Sequence, residues 1–343
     1  KVVAFITAIL SPPQTDPPSA SELVALPGIN PVIPLGWGAL AFIVALVIHE
    51  YGHGLQARAH GMRIRSFGLL QLGPLPLGAF AEPQYEELTS APSRERMRMF
   101  AAGPATNIFA AIICLMFLGG LASQFVATED GVHVRGIVQD EGAYQAGLQP
   151  WDTIQYIDGQ EISDVDAFYD AMEGYSANDT IALTVKHSDG QVETLNATLS
   201  DKYDYYLQLG WSKGNLESIG VEKGQPFLGV EGLSGGTAGI DRLAGPLSPR
   251  WDGNLAQKSV MAPLHTLSLM IVPFELQGVA MHPFEESLLE AEDNVFAQTL
   301  GTSGLLFFVN LFFWLLWVNI LLGFTNLIPM VPFDGGHMFK DML

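Results

Sequence analysis

The sequence is poor in cysteine and in positive charge. One cysteine, Cys114, rules out a disulfide within the chain, and its place in an apolar run makes it a small packing residue. Lysine and arginine total 16 against 36 acidic residues, for a formal net charge of −20. Nucleic-acid binding needs basic patches, so a nucleic-acid partner is excluded. An acidic excess of this kind keeps a surface soluble at high salt. The 343 residues are 48% hydrophobic and include at least three apolar runs of membrane-spanning length, which indicates an integral membrane protein of two or three structural units. The chain opens on Lys1, not Met. Residues 1–10 are apolar but too short to span, and read as the end of a truncated helix or of a signal sequence.

The most informative stretch is residues 41–54, AFIVALVIHEYGHG. On a helix, residues four apart share a face, so His49 and His53 can direct nitrogens at one metal ion. Glu50 lies about 100° round the helix, within reach of a metal-bound water. Two neutral imidazoles and a carboxylate base at this spacing are what metal-assisted hydrolysis requires. The pentapeptide alone also fits two packed histidines near a helix end. Ionisable residues inside a membrane-length segment are costly and need a partner, which favours the metal.

Residues 1–33 form an N-terminal apolar stub and a Pro/Ser/Ala-rich loop. Residues 34–125 form a membrane block: a first span over 34–56, a Gly/Pro-broken hairpin over 67–82, and a second span over 100–125. An uncharged hairpin beside a span is expected to associate with the membrane, with protein covering its backbone. Asn107 in the second span is expected to face the interior. Residues 128–251 are polar and acidic and read as an inserted α+β soluble domain. Strands are expected over 132–138 and 152–157, a short helix ends at Gly147, a helix covers 165–172, and a hairpin turns at Ser188-Asp189-Gly190. Residues 203–250 carry few signals beyond a candidate strand at Phe227-Leu228-Gly229-Val230. Residues 252–301 include an apolar stretch, 260–281, interrupted by Pro263, His265, Pro273 and Glu275, and are expected to be interfacial or re-entrant. Residues 302–343 hold the third span and the run from Asn326 to His337.

Arg58, Arg63, Arg65, Arg94, Arg96 and Arg98 all fall between the first two spans, which places that loop in the cytoplasm. The histidine pair then lies near the cytoplasmic end of span one, and the inserted domain is extracytoplasmic. The third span returns inward and brings Asp334 level with the histidines. A catalytic zinc has three protein ligands and a water, so Asp334 is the candidate third ligand, with Glu82 and Glu275 as rivals. His60, His133, His187, His265, His282 and His337 have no spacing that demands a metal.

HEYGH at 49–53, AGPATN at 102–107 and N-x-x-P-x-x-P-x-D-G-G at 326–336 resemble, in this order, the site-2 protease family of intramembrane zinc metalloproteases. The inserted domain resembles a PDZ domain over residues 140–158, with Trp151 where a glycine is usual. The resemblance implies a polytopic α-helical membrane protein with a membrane-associated β-hairpin and an inserted α+β PDZ-like domain. It also implies one Zn2+ held by His49, His53 and Asp334, with Glu50 as general base and Asn326 helping to hold substrate or oxyanion. The implied activity is hydrolysis in or near a transmembrane helix of a regulatory protein, pre-cleaved outside the membrane. Two alternatives stand beside it: an inactive homologue serving as a membrane PDZ-type binding scaffold, and a zinc-dependent transporter or metal sensor.

Overall fold

In the computed structural model, the described residues are 28, 30, 32–72 and 75–343. The apolar stub and most of the loop expected before residue 33 lie outside them. The chain divides into two compact units. One comprises Lys1–Leu118, Gly253–Ala280 and Phe308–Leu343; the other comprises Gly119–Asp252 and Met281–Phe307. The stretch 252–301, expected to act as one interfacial piece, is therefore shared between the two. The physical reason is a strand, Leu289–Ala291, that pairs antiparallel with Phe125–Ala127.

Among the described residues, three helices are long and apolar enough to cross a membrane: α1 (Leu35–Ala59), α2 (Ser93–Ala122) and α3 (Val295–Asn326). In α1 the buried positions include Ala41, Ala45, His49, Gly52 and His53, a stripe at helical spacing in which small residues precede the histidines. Gly52 has no room for a side chain, since a Cβ there would stand 2.7 Å from Ala102 O on α2. Such small residues are what permits close helix approach within a bilayer. Asn107 is fully buried on α2 and its amide faces Ala45 O at 3.4 Å. Helical geometry in α3 breaks at Gly301 (φ 65°), so its regular part starts where the apolar run does.

Between α1 and α2 lie β1 (Ile64–Leu72) and β2 (Leu75–Pro83), paired antiparallel with Phe67 opposite Ala81. The apolar stretch 260–281 folds as a helix, Leu255–Ser268, then a 3-10 turn, Leu269–Ile271, and a short helix, Val272–Glu275. Asn254 and Gln257 close its first turn as a capping box. The three pieces follow one another without a gap from Leu255 to Glu275. After α3 the chain turns through 327–333 into a final helix, α4 (Asp334–Met342).

The second unit is built on a sheet in the order β3 (Val132–His133), β4 (Thr153–Ile157), β6 (Thr180–Lys186), β7 (Val192–Thr198), with β5 (Gln160–Glu161) paired to β4. Alternate residues of the strands, among them Val132, Ile154, Ile157, Ile181, Leu183 and Val185, pack with Phe168 into one core. Helix Val165–Met172 is capped by Asp164, whose carboxylate accepts from Ala167 N at 2.8 Å. Gly147 ends helix Gly142–Ala146 in the left-handed region, φ 91°.

The single strand expected over 132–138 is instead two short pieces. Trp151 N donates to Val134 O at 2.6 Å and Val134 N to Asp152 O at 2.9 Å, and Gly136–Ile137 then pairs away from the main sheet with Val230–Glu231. The strand expected at 227–230 is likewise split: Pro226–Phe227 pairs with Ser200–Asp201, and Gly229 (φ 81°) turns the chain before Val230. Residues 203–250, unreadable in sequence, contain helices Lys202–Gln208, Lys213–Ser218 and Ala238–Ala244.

Candidate metal centre

Three side-chain atoms converge in the first unit. His49 Nε2 and His53 Nε2 lie 3.0 Å apart on successive turns of α1. Asp334 Oδ2, at the first residue of α4, lies 3.1 Å from His49 Nε2 and 3.3 Å from His53 Nε2. Zinc bonds of ~2.0–2.1 Å in a tetrahedron set ligand atoms about 3.3 Å apart, close to this triangle. His53 Nδ1 donates to Met99 O at 2.8 Å. That bond consumes the ring's single proton in the neutral form, leaving a bare lone pair on Nε2. A second imidazole nitrogen and a carboxylate oxygen turned at that lone pair are a donor set for a cation. The residues present therefore fit zinc.

Glu50 is half-buried beside the pair, with ligand atoms of His49, Glu50 and His53 all within 4.8 Å of one another. Its Oε2 accepts a 2.6 Å hydrogen bond from Ala81 N on β2. The hairpin is further seated on α1 by Tyr51 stacked on Phe67, ring centroids 5.5 Å apart.

Glycines shape the walls. A Cβ on Gly103 of α2 would stand 2.7 Å from His49 Nε2 and 2.6 Å from His53 Cε1. On Gly335 it would meet Ile328 O at 2.6 Å, and on Gly336 Val331 N at 2.5 Å. The Gly-Gly pair thus lets the 327–333 turn fold back over the first turn of α4.

The structure brings His49, Glu50, His53 and Asp334 together. Asn326, the last residue of α3, turns its amide back on its own helix and donates to Leu322 O at 3.0 Å. The rival Glu82 pairs with Arg65 at 3.2 Å, and Glu275 ends its short helix. Sequence reasoning missed Met99, Ala81 and the steric role of Gly103. The first two act through backbone atoms, which leave no residue-type signal; Gly103 sat within a recognised motif.

A His-Glu-x-x-His helix facing a carboxylate, on helices of membrane length, defines the class of membrane zinc metalloproteases. The chain belongs to peptidase family M50, whose profile matches residues 37–343. An uncharacterised protein of Methanocaldococcus jannaschii is 31% identical over 137 residues, 40% of this chain and 35% of that one. A protein of Mesorhizobium japonicum provisionally named a zinc metalloprotease is 27% identical over 342 aligned positions, 86% of this chain and 84% of that one. One from Neisseria meningitidis with the same provisional name is 28% identical over 54% of this chain and 50% of its own. The chain thus spans about a third, most and half of these relatives. Among solved structures, the PDZ domain of an SdrC-like protein from Listeria innocua covers 30% of this chain and 92% of its own, at 26% identity and a TM-score of 0.22.

Proposed function

We propose that this chain is an intramembrane zinc endopeptidase that hydrolyses a peptide bond in or near a transmembrane helix of a regulatory protein. The observation that carries this reading is the 3.0–3.3 Å triangle of His49, His53 and Asp334 with Glu50 beside it. When bound, zinc supplies Lewis acidity and a water acidified to about pKa 7.

Glu50 is the general base: its carboxylate takes a proton and passes it to the leaving amine nitrogen. The Ala81 amide holds Glu50 Oε2 and fixes its direction. A helical substrate has its backbone groups paired, so it must unwind. The edge of β2 offers replacement backbone bonds by strand addition. Asn326 assists when its amide leaves Leu322 O for a substrate oxygen. In this reading the hairpin lies against the bilayer, and the metal centre is towards the cytoplasm. The PDZ-like domain is outside, where it receives or filters a substrate already cut once.

The test is zinc content and cleavage of a model transmembrane substrate, on wild type, Asp334→Ala and Glu50→Gln. One zinc per chain lost in Asp334→Ala, and zinc kept without cleavage in Glu50→Gln, is the expected pattern. Cleavage surviving in Glu50→Gln overturns the assignment. A wild type that binds zinc and cuts nothing favours a binding scaffold instead.

A further inference from the structure

We propose that Arg96 and Asp341 form a clamp that positions Asp334, and so are positioning residues for the metal centre. The inference rests on the reading of Asp334 as third ligand. Asp334 comes from a different part of the chain than the histidines, 285 residues away from His49. Its helix, α4, follows a turn broken by two prolines, so the turn alone does not fix where α4 points. What fixes it lies at the far end of the helix. Arg96 Nε stands 3.0 Å from Asp341 Oδ2, and one terminal nitrogen stands 2.7 Å from Oδ1. This two-point contact constrains angle as well as distance.

The guanidinium is itself fixed. Its other terminal nitrogen donates to Ala91 O at 2.7 Å, and Ser93 Oγ lies 3.3 Å from the first. The pair is largely shielded, with side chains 23% and 12% exposed. Between the two ends of α4, the His337 ring stacks on Phe100 at 4.9 Å and 14°. Arg96, Met99 and Phe100 thus lie on one stretch of α2: Met99 O orients His53, Phe100 carries His337, and Arg96 holds Asp341. One turn of α2 therefore references His53 and the helix that carries Asp334 to each other. Seven residues separate Asp334 from Asp341, about 10 Å of helix. A tilt released at Asp341 moves the carboxylate at the other end out of a triangle only 3.0–3.3 Å on a side.

The experiment is a double-mutant cycle on the full chain in detergent: Arg96→Ala, Asp341→Ala and both together, with zinc affinity read by chelator competition and Asp334→Ala run in parallel. Groups that orient ligands typically contribute 10–100-fold in metal affinity. Each single variant is expected to weaken zinc by about tenfold or more, and the double variant no further than the weaker single, because the two act as one contact. Circular dichroism and thermal unfolding keep loss of fold separate from loss of site. Should Arg96→Ala not accumulate, Arg96→Lys, which keeps the charge but not the two-point geometry, must still weaken zinc. Single variants that bind as wild type, or effects that add in the double, overturn the clamp. Zinc retained in Asp334→Ala overturns the ligand assignment instead.

Discussion

The backbone N–H of Ala81 donates a 2.6 Å hydrogen bond to Glu50 Oε2, tying the edge of β2 to the carboxylate proposed as base. In an antiparallel pair every second residue turns its N–H away from the partner strand, and Ala81 N is spent on Glu50 of α1. Ala81→Pro therefore deletes the contact at an edge position that tolerates proline. We expect cleavage to fall about tenfold with zinc content unchanged, a fraction of the 10²–10⁴-fold that Glu50→Gln removes. Metal analysis and initial rates on the same preparations check this. Unaltered cleavage in Ala81→Pro would show that the bond does not aim the base.

Gly103 leaves no room at the histidines. A methyl group on it would meet His49 Nε2 at 2.7 Å, on ring atoms held by α1 and not at the end of a flexible chain. We expect Gly103→Ala to cost tenfold or more in zinc affinity by pushing α2 away from the ligand pair. Gly120→Ala on the same helix meets nothing within 4 Å and serves as control. Its helix propensity improves by up to about 1 kcal/mol, so it should bind zinc as wild type. Equal zinc affinity in the two variants would remove the steric argument.

The local features of the fold were legible because they are written in periodicity. The apolar run ending in HEYGH, the helix over 165–172 and the glycine stop at 147 depend on neighbours within a turn. Asp334 was reachable by counting spans and requiring a third ligand. What could not be read depends on partners far along the chain. The pairing of Leu289–Ala291 with Phe125–Ala127 joins segments more than 160 residues apart, and neither three-residue piece has a pattern of its own. The split of 132–138 follows from backbone bonds to Trp151 and to Val230–Glu231. At the site, a carbonyl at Met99 and an amide at Ala81 are supplied equally by any residue, so composition is silent on them.

His133 gives the inserted unit a pH response. Its ring is 1% exposed, with Nδ1 2.7 Å from Thr153 Oγ1 and Nε2 without a partner among the described residues. Burial pushes its pKa from 6.5 down to about 4. The folded state holds the neutral ring, while the unfolded chain takes up a proton below pH 6.5. Stability from this group is therefore full above about 6.5 and lost as pH falls through about 4, by about 3 kcal/mol in all. We expect the stability difference between wild type and His133→Gln to shrink over that window, read by denaturant unfolding at pH 7, 5.5 and 4. A difference that stays constant with pH would mean that the ring titrates alike in the folded and the unfolded chain, and that burial does not hold it neutral.

Trp151 stands where a glycine was expected, and it holds the glycine's backbone conformation, φ 74°. A bulky residue there costs about 1–2 kcal/mol of local strain. The ring offsets it. It stacks on His282 at 4.3 Å and 13°, lies 5.3 Å from Phe284, and carries the Arg135 guanidinium 5.8 Å from its centroid. Removing the ring costs about 3–5 kcal/mol by packing loss, so wild type should be more stable than either small variant. Trp151→Gly loses the stack and relieves the strain, whereas Trp151→Ala loses the stack and keeps the strain. The usual order of alanine over glycine is then reversed: we expect Gly to exceed Ala by about 1 kcal/mol. Denaturant unfolding of the three proteins reads the order directly. Alanine equal to or above glycine would show that residue 151 does not occupy the left-handed region in solution.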